Sequence, residues 1–188
     1  MPLSEQVRHL PSSDGILVIA DGAVVRKIVG PGGNEEQEYR DFVDKTGFDF
    51  RRDLDGIAAV IGTTDSFYVV TGRFDYAKLS RFAGTCVKTV CSMPASQPGK
   101  WISFLPLGDN AIAIAVSPRQ LAVADMEASR PPLVSWRETP FLIRGQGKQF
   151  ARWGLSGDEW VEANISGDAL ELKAGSIVKR IPLSEVLQ

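Results

Sequence analysis

The apolar residues of this chain come in short runs, and the longest of them have the length of a single buried strand. The run Ile112-Ala113-Ile114-Ala115-Val116 is an example, and it is far shorter than the roughly 18 apolar residues that a membrane-spanning helix needs. Turn-forming residues separate the runs, as Gly108-Asp109-Asn110 does just before this one. Short apolar runs between turn signals predict β-strands. We therefore expect a sheet-rich fold without a membrane span.

The strand and helix patterns of residues 16–92 form six consecutive elements when the helical pieces 23–29 and 34–46 are counted as one. Strands are predicted at 16–20, 57–61, 67–74 and 86–91, helices at 23–29, 34–46 and 75–82, and a connector at 48–55. In the helix at 75–82, Asp75 is the expected N-cap, Gly84 the C-terminal stop, and Leu79 and Phe82 the core anchors. The helix over 34–46 has the clearest pattern, because Tyr39, Phe42 and Val43 share one face and Gly47 follows as a C-terminal stop. The order β-α-β-β-α-β predicts a ferredoxin-like α+β core, with the helices on one face of an antiparallel sheet.

The rest of the sequence predicts an extension of this sheet. A hairpin is expected over 101–116, followed by a third helix from Ser117 to about Met126, which has Pro118 at its first position. Residues 127–140 contain three prolines and predict a linker, and short strands follow at 141–143, 160–165 and 169–173. We therefore expect two parts: an α+β core with added hairpin and helix over residues 1–128, and a β-rich C-terminal extension over 129–188 that packs on the core.

The charge balance gives no reason to expect a nucleic-acid partner. The chain has 21 Lys and Arg residues against 23 Asp and Glu residues, a formal net charge of −2, whereas nucleic-acid-binding domains carry a basic surface. A ferredoxin-like sheet can bind RNA by stacking bases on aromatic side chains. Here the adjacent Phe67 and Tyr68 point to opposite faces of the strand, and the usual RNA-recognition pattern is missing.

Familiar catalytic and cofactor motifs are missing too. His9 is the single histidine, so the chain has few ligands for a zinc cluster and one candidate base for a His-dependent nucleophile. We expect His9 to be exposed or to cap a helix. The segment Gly145-Gln146-Gly147-Lys148 lacks the spacing of a phosphate-binding loop and predicts a turn. No cofactor and no metal are predicted.

Cys86 and Cys91 are five residues apart. In a continuous strand this odd spacing places their side chains on opposite faces, and a disulfide between them would need a turn or bulge in the intervening segment. We expect two separate, small, buried residues.

The segment from Asp41 to Asp55, with the sequence DFVDKTGFDFRRDLD, resembles a junction found in uncharacterised and often exported bacterial proteins. Gly72-Arg73-Phe74-Asp75 and Leu10-Pro11 resemble other junctions of the same group. The resemblance covers roughly residues 10–126. It implies a non-catalytic α+β domain of unknown function. It also implies an envelope or periplasmic location if an export signal has been removed, and otherwise a cytoplasmic one.

All four tryptophans lie in the second half of the chain. Trp136 and Trp153 fall in linker-like and loop-like segments, which makes them candidates for an interaction surface, where Trp is enriched. We therefore expect a non-catalytic binding or protein-interaction module, whose partner is an unknown protein or a second copy. The alternative is a hydrolase or other enzyme that uses carboxylates in a cleft between the core and the extension, since any two acidic residues can meet in a fold.

Overall fold

The computed structural model describes residues 2–12, 14–29, 37–131 and 140–186. In these ranges the strands are β1 (Ile16–Asp21), β2 (Leu54–Ile61), β3 (Ser66–Gly72), β4 (Thr85–Val87), β5 (Val90–Pro94), β6 (Trp101–Gly108), β7 (Ala111–Ser117), β8 (Phe141–Gln146), β9 (Trp160–Ser166), β10 (Ala169–Ala174) and β11 (Ile177–Pro182). The α-helices are α1 (Leu3–Gln6), α2 (Gly22–Val29), α3 (Gln37–Thr46), α4 (Phe50–Asp53), α5 (Tyr76–Ala83) and α6 (Leu183–Val186). The 3-10 helices are Val7–His9, Ala122–Met126 and Gly147–Trp153. No helix in these ranges is long and apolar enough to cross a membrane.

The protein is an α+β fold in which the described strands form one antiparallel sheet. Its order is β11-β10-β9-β8-β1-β2-β3-β7-β6-β5-β4. The predicted hairpin β6/β7 is present. The strands predicted at 57–61 and 67–74 form the hairpin β2/β3, and those predicted at 160–165 and 169–173 form the hairpin β9/β10. β8 pairs with β1, where Leu142 lies opposite Ile19, so the C-terminal segment continues the same sheet.

Strand alternation gives the sheet two covered faces. On β3, Val69 points into one cluster and Val70 to the other side, because successive side chains of a strand alternate. The first face is covered by the N-terminal residues and by Ala122–Met126, and its core contains Val7, Leu10, Leu17, Ile19, Ala58, Val60, Phe67, Val69, Leu105, Ala113, Ala115, Ala122, Val123 and Met126.

The opposite face carries helices α2, α3 and α5. Near α2 and the C-terminal strands lies a cluster that we call the C-terminal cluster, formed by Ala20, Phe141, Phe150, Leu155, Val161, Ala163, Leu170, Leu172, Ala174 and Ile181. Beneath α3 and α5 the fully buried set is much smaller, namely Leu79, Cys91, Phe104 and Ile112. This end of the sheet is therefore the less densely filled part of the core.

The ferredoxin-like core is not confirmed. In that arrangement the strands joined by a helical crossover run parallel to each other. Here β1 and β2 are antiparallel neighbours, with Ala20 opposite Ile57. Several helices rather than one separate these strands in sequence, which allows the chain to return in the opposite direction.

The prediction of one strand over 86–91 was wrong. The chain reverses at Lys88-Thr89, so Cys86 and Cys91 become direct cross-strand partners on β4 and β5. They form a disulfide with their Cα atoms 4.0 Å apart, instead of two separate thiols. The turn was missed because it lacks the usual Gly or Asn. Lys88 adopts the positive φ of 55° that such residues normally supply.

Two helical predictions also needed correction. The helix expected over 117–126 is a turn followed by the short 3-10 helix Ala122–Met126. The connector 48–55 contains α4, which begins after its N-cap Asp49. The helix expected over 75–82 is confirmed as α5, with Asp75 accepting a hydrogen bond from the Lys78 amide and Gly84 ending it at φ 79°.

Candidate functional site

The two junction motifs of residues 41–55 and 72–75 meet in space around the carboxylate of Asp53. The Arg52 guanidinium lies 2.8 Å from it and the Arg73 guanidinium 3.0 Å from it. The Asp49 amide also donates to it at 2.9 Å. Gly72 allows the end of β3 to lie close to the end of α4, because a Cβ at this position would lie 2.2 Å from the Asp53 carbonyl oxygen.

This environment keeps Asp53 ionised. The hydrogen bond from Arg52 is the largest influence, and together with the Asp49 amide and the charge of Arg73 it lowers the pKa of Asp53 to about 2 against the opposing effect of burial. A carboxylate held in this state neither donates nor accepts a proton near neutral pH. Asp53 therefore ties the two motifs together and is poorly suited to acid–base catalysis.

Aromatic rings extend from this junction toward the sheet. Phe48 stacks on Phe74 with ring centroids 4.8 Å apart, and Phe42 meets Phe82 edge-on at 5.4 Å. Tyr39 donates to Asp49 at 2.9 Å, and burial followed by this bond raises the pKa of Tyr39 to about 12. The junction thereby fixes α3 and α4 against the end of β3.

Between α3, α5 and the sheet lies a cavity of about 240 Å³, which we call the apolar cavity. All the described side chains that line it are apolar: Phe42, Phe48, Val70, Phe74, Leu79, Phe82, Met93, Ile102, Phe104, Ile112 and Ile114. Of the five phenylalanines in this set, Phe104 alone is buried and the other four are half-buried, so the cavity reaches the surface. Such a lining offers no hydrogen bonds to water and favours an apolar occupant.

A more open depression of about 570 Å³ lies beside the junction. It contains Asp53, Asp75 and Asp109, but Asp53 is held by two arginines and Asp75 caps α5. Asp109 lies exposed in the β6/β7 turn. In the described part of the chain, no three His, Cys, Asp or Glu residues are grouped so as to hold a metal ion. All lining residues of the depression fall between positions 46 and 110, so it is not a cleft toward the C-terminal extension.

Of the two tryptophans proposed as interaction residues, Trp153 belongs to the described part of the chain. Trp153 is half-buried against the C-terminal cluster, with its ring 6.2 Å from that of Phe150. Trp136 lies outside the described residues. Trp160, which was not among the candidates, is 58% exposed, and the Arg144 guanidinium lies 4.6 Å from its ring centre.

The other residues considered from the sequence have structural roles. His9 lies with Nδ1 3.0 Å from the Met126 carbonyl oxygen, which links the N-terminal segment to the 3-10 helix at 122–126. Gly147 begins another 3-10 helix, and a Cβ there would lie 2.3 Å from the Ser156 carbonyl oxygen. Lys148 pairs with Asp158 at 2.7 Å. The segment 145–148 is therefore not the predicted turn: β8 ends at Gln146 and the 3-10 helix begins directly at Gly147.

Sequence reasoning identified several cavity residues without recognising the cavity. Phe42 belongs to the apolar stripe of α3, and Leu79 and Phe82 are the apolar anchors of α5. Helical periodicity shows that these residues face inward. It does not show whether the space between them is filled.

No family model matches the chain, and no curated protein matches it. The fold is similar to that of the bacterial protein TP0453. Crystal form I of TP0453 gives a TM-score of 0.54 at 9% sequence identity, covering 94% of this chain and 81% of that one. Crystal form III gives 0.53 at 9% identity, with coverages of 92% and 80%, and form IV gives 0.52 at 8% identity, with coverages of 89% and 80%. At this identity the likeness shows a shared fold alone.

Proposed function

We propose that this protein is a non-catalytic binding module whose site is the apolar cavity. The observation that carries the proposal is a 240 Å³ space lined by apolar side chains and open toward the surface between α3 and α5. A closed cavity of that volume would destabilise a fold by about 6 kcal/mol. Access to solvent reduces this cost, and an apolar ligand that fills the space would remove it.

The volume sets the size of the ligand. A group as large as a water molecule occupies roughly 30 Å³, so the cavity holds about eight methylene groups. Burying them at about 0.8 kcal/mol each gives about 6 kcal/mol, from which the cost of immobilising the ligand must be subtracted. Six kcal/mol alone would correspond to about 40 µM, so after this subtraction we expect a dissociation constant of about 0.1–1 mM for a single eight-carbon chain.

The carboxylate-hydrolase alternative has weaker support. Of the three acids in the open depression, Asp53 is engaged in ion pairs and Asp75 caps α5, while Asp109 is exposed in a turn. The lowered pKa of Asp53 opposes proton transfer. The hypothesis that Trp153 forms part of a protein-interaction surface also has weaker support, because the Trp153 ring packs on Phe150. The Cys86–Cys91 disulfide supports an exported location, since disulfides persist mainly in oxidising compartments.

The test uses uncharged 1-octanol as the probe and protein labelled with ¹³C at the isoleucine δ1 methyl groups. Titration should shift the methyl resonances of Ile102, Ile112 and Ile114, which line the cavity. The methyl groups of Ile19 and Ile181 are buried in other clusters and should not move. This readout needs no mutation.

A cavity-filling variant provides the second measurement. Ile114→Phe should weaken octanol binding at least tenfold while leaving the melting temperature unchanged or higher, because filling an existing void stabilises by about 0.5–2 kcal/mol. Ile61→Phe is the matched control, since Ile61 is 41% exposed on β2 and does not line the cavity. Unshifted cavity methyls in the wild-type protein, or unchanged binding by a folded Ile114→Phe variant, would overturn the proposal.

A further inference from the structure

A second cleft adjoins the apolar cavity on the protein surface. It has a volume of about 300 Å³ and is lined by Lys45 on α3 and by Lys78, Arg81 and Phe82 on α5. None of these described lining residues carries a carboxylate. We call this space the basic cleft.

The Phe82 ring connects the two spaces. It lines both the apolar cavity and the basic cleft, and the Lys45 ammonium lies 5.9 Å from its ring centre. The alkyl chain of a ligand that fills the cavity and extends past Phe82 would therefore place its other end in a space surrounded by three cationic side chains.

The cations of the cleft have only weak anionic partners in the described structure. Lys78 Nζ lies 3.9 Å from Asp75 at the start of α5, near the outer limit of an ion pair. Arg81 donates through Nε to the Ala77 carbonyl oxygen at 3.3 Å, which leaves the two terminal nitrogens of its guanidinium outside that bond. Because the whole chain has a net charge of −2, this positive charge is a local feature and not part of a generally basic surface.

We propose that the ligand of the cavity is a medium-chain fatty acid, with its alkyl chain in the apolar cavity and its carboxylate in the basic cleft. This inference rests on the proposed function and adds the chemical class of the ligand. The apolar lining accounts for the chain, and the three cations account for an anionic head group. The cavity volume matches one short chain and is too small for the two long chains of a membrane phospholipid.

The head-group assignment is tested by comparing octanoate with 1-octanol, which have the same chain length and differ in charge. Both are titrated into the full chain well below the concentration at which octanoate forms micelles, with the isoleucine methyl resonances as the readout. Because the cations are exposed and screened by water, we expect a moderate preference, about tenfold in favour of octanoate at low salt. The preference should shrink as salt is added.

The variant that removes the head-group site is the triple substitution Lys45→Gln, Lys78→Gln and Arg81→Gln. It should lose the preference for octanoate and still bind 1-octanol as the wild type does, which also shows that it is folded. The matched control substitutes two exposed lysines and one exposed arginine in the C-terminal segment: Lys148→Gln, Lys173→Gln and Arg180→Gln. It changes the net charge equally and should keep the preference.

The outcomes separate the two proposals. Equal binding of octanoate and 1-octanol to the wild type would overturn the head-group inference and leave the apolar binding site in place. Loss of the preference in both triple variants would overturn it as well, because the effect would then come from net charge. If neither probe shifts the cavity methyls, the proposed function itself fails.

Discussion

Replacing Asp53 with asparagine should weaken the fold in a way that depends on pH. The substitution keeps the size of the side chain and an oxygen that can accept from the Asp49 amide. It removes the negative charge that lies 2.8 Å from Arg52 and 3.0 Å from Arg73. The fold should therefore lose the stabilisation that comes from ionised Asp53 and little else.

The lowered pKa gives the size and the pH range of this effect. The pKa falls from 3.8 to about 2 on folding, a difference that corresponds to about 2 kcal/mol at neutral pH. Arg52 and Arg73 have side chains that are 63% and 69% exposed, so water screens the pairs and we expect about 1–2 kcal/mol. A depressed folded-state pKa stabilises above the unfolded value, and the stabilisation is lost as the pH falls toward the folded value. About half of it should remain at pH 3.

The assay is urea denaturation of the wild type and Asp53→Asn at pH 7 and pH 3. Other carboxylates titrate in both proteins and cancel in the difference. Asp55→Asn is the matched control, because Asp55 is an exposed neighbour on β2, and it should change the free energy of unfolding by less than about 0.5 kcal/mol. A penalty for Asp53→Asn that is the same at both pH values would refute the electrostatic reasoning, and so would an equal penalty in the control.

The Cys86–Cys91 disulfide and the close approach of β3 to α4 at Gly72 lead to two further predictions. Replacing Cys86 and Cys91 with serine opens a loop with a sequence separation of 5 and should cost about 2 kcal/mol. A reducing agent should lower the urea midpoint of the wild type to that of the variant, and an unchanged wild-type midpoint would contradict this. Gly72→Ala should cost about 3 kcal/mol, because the new Cβ would lie 2.2 Å from a backbone oxygen. Gly99→Ala has open space around it and a φ of 77°, so it should cost only about 1 kcal/mol, and equal melting temperatures for the two variants would count against the steric argument.

Local signals in the sequence predicted many elements correctly. Asp75 and Gly84 mark the start and end of α5 as expected, because capping depends on residues within one turn of the helix end. The β6/β7 hairpin follows from its turn residues and alternating apolar positions. Lys88-Thr89 shows where this reasoning fails, since the turn is imposed on residues with no special preference for it.

Other features depend on residues that are distant in sequence. Asp53 and Arg73 stand in separate motifs, and their ion pair exists because β2 and β3 are neighbours. The pairing of β8 with β1 joins the N-terminal and C-terminal parts of the described chain in one sheet. No local sequence pattern specifies that β8 is the strand that pairs with β1.

The sequence by itself determined the short strands, the apolar faces of α3 and α5, and the lack of familiar catalytic motifs, because each depends on residue types and spacing along the chain. The tertiary structure decided the sheet order, the disulfide and the apolar cavity beside the basic cleft. Periodicity reports the direction in which a side chain points. Whether opposing side chains meet or leave a space between them depends on the distance between elements, which the packing of the whole chain sets.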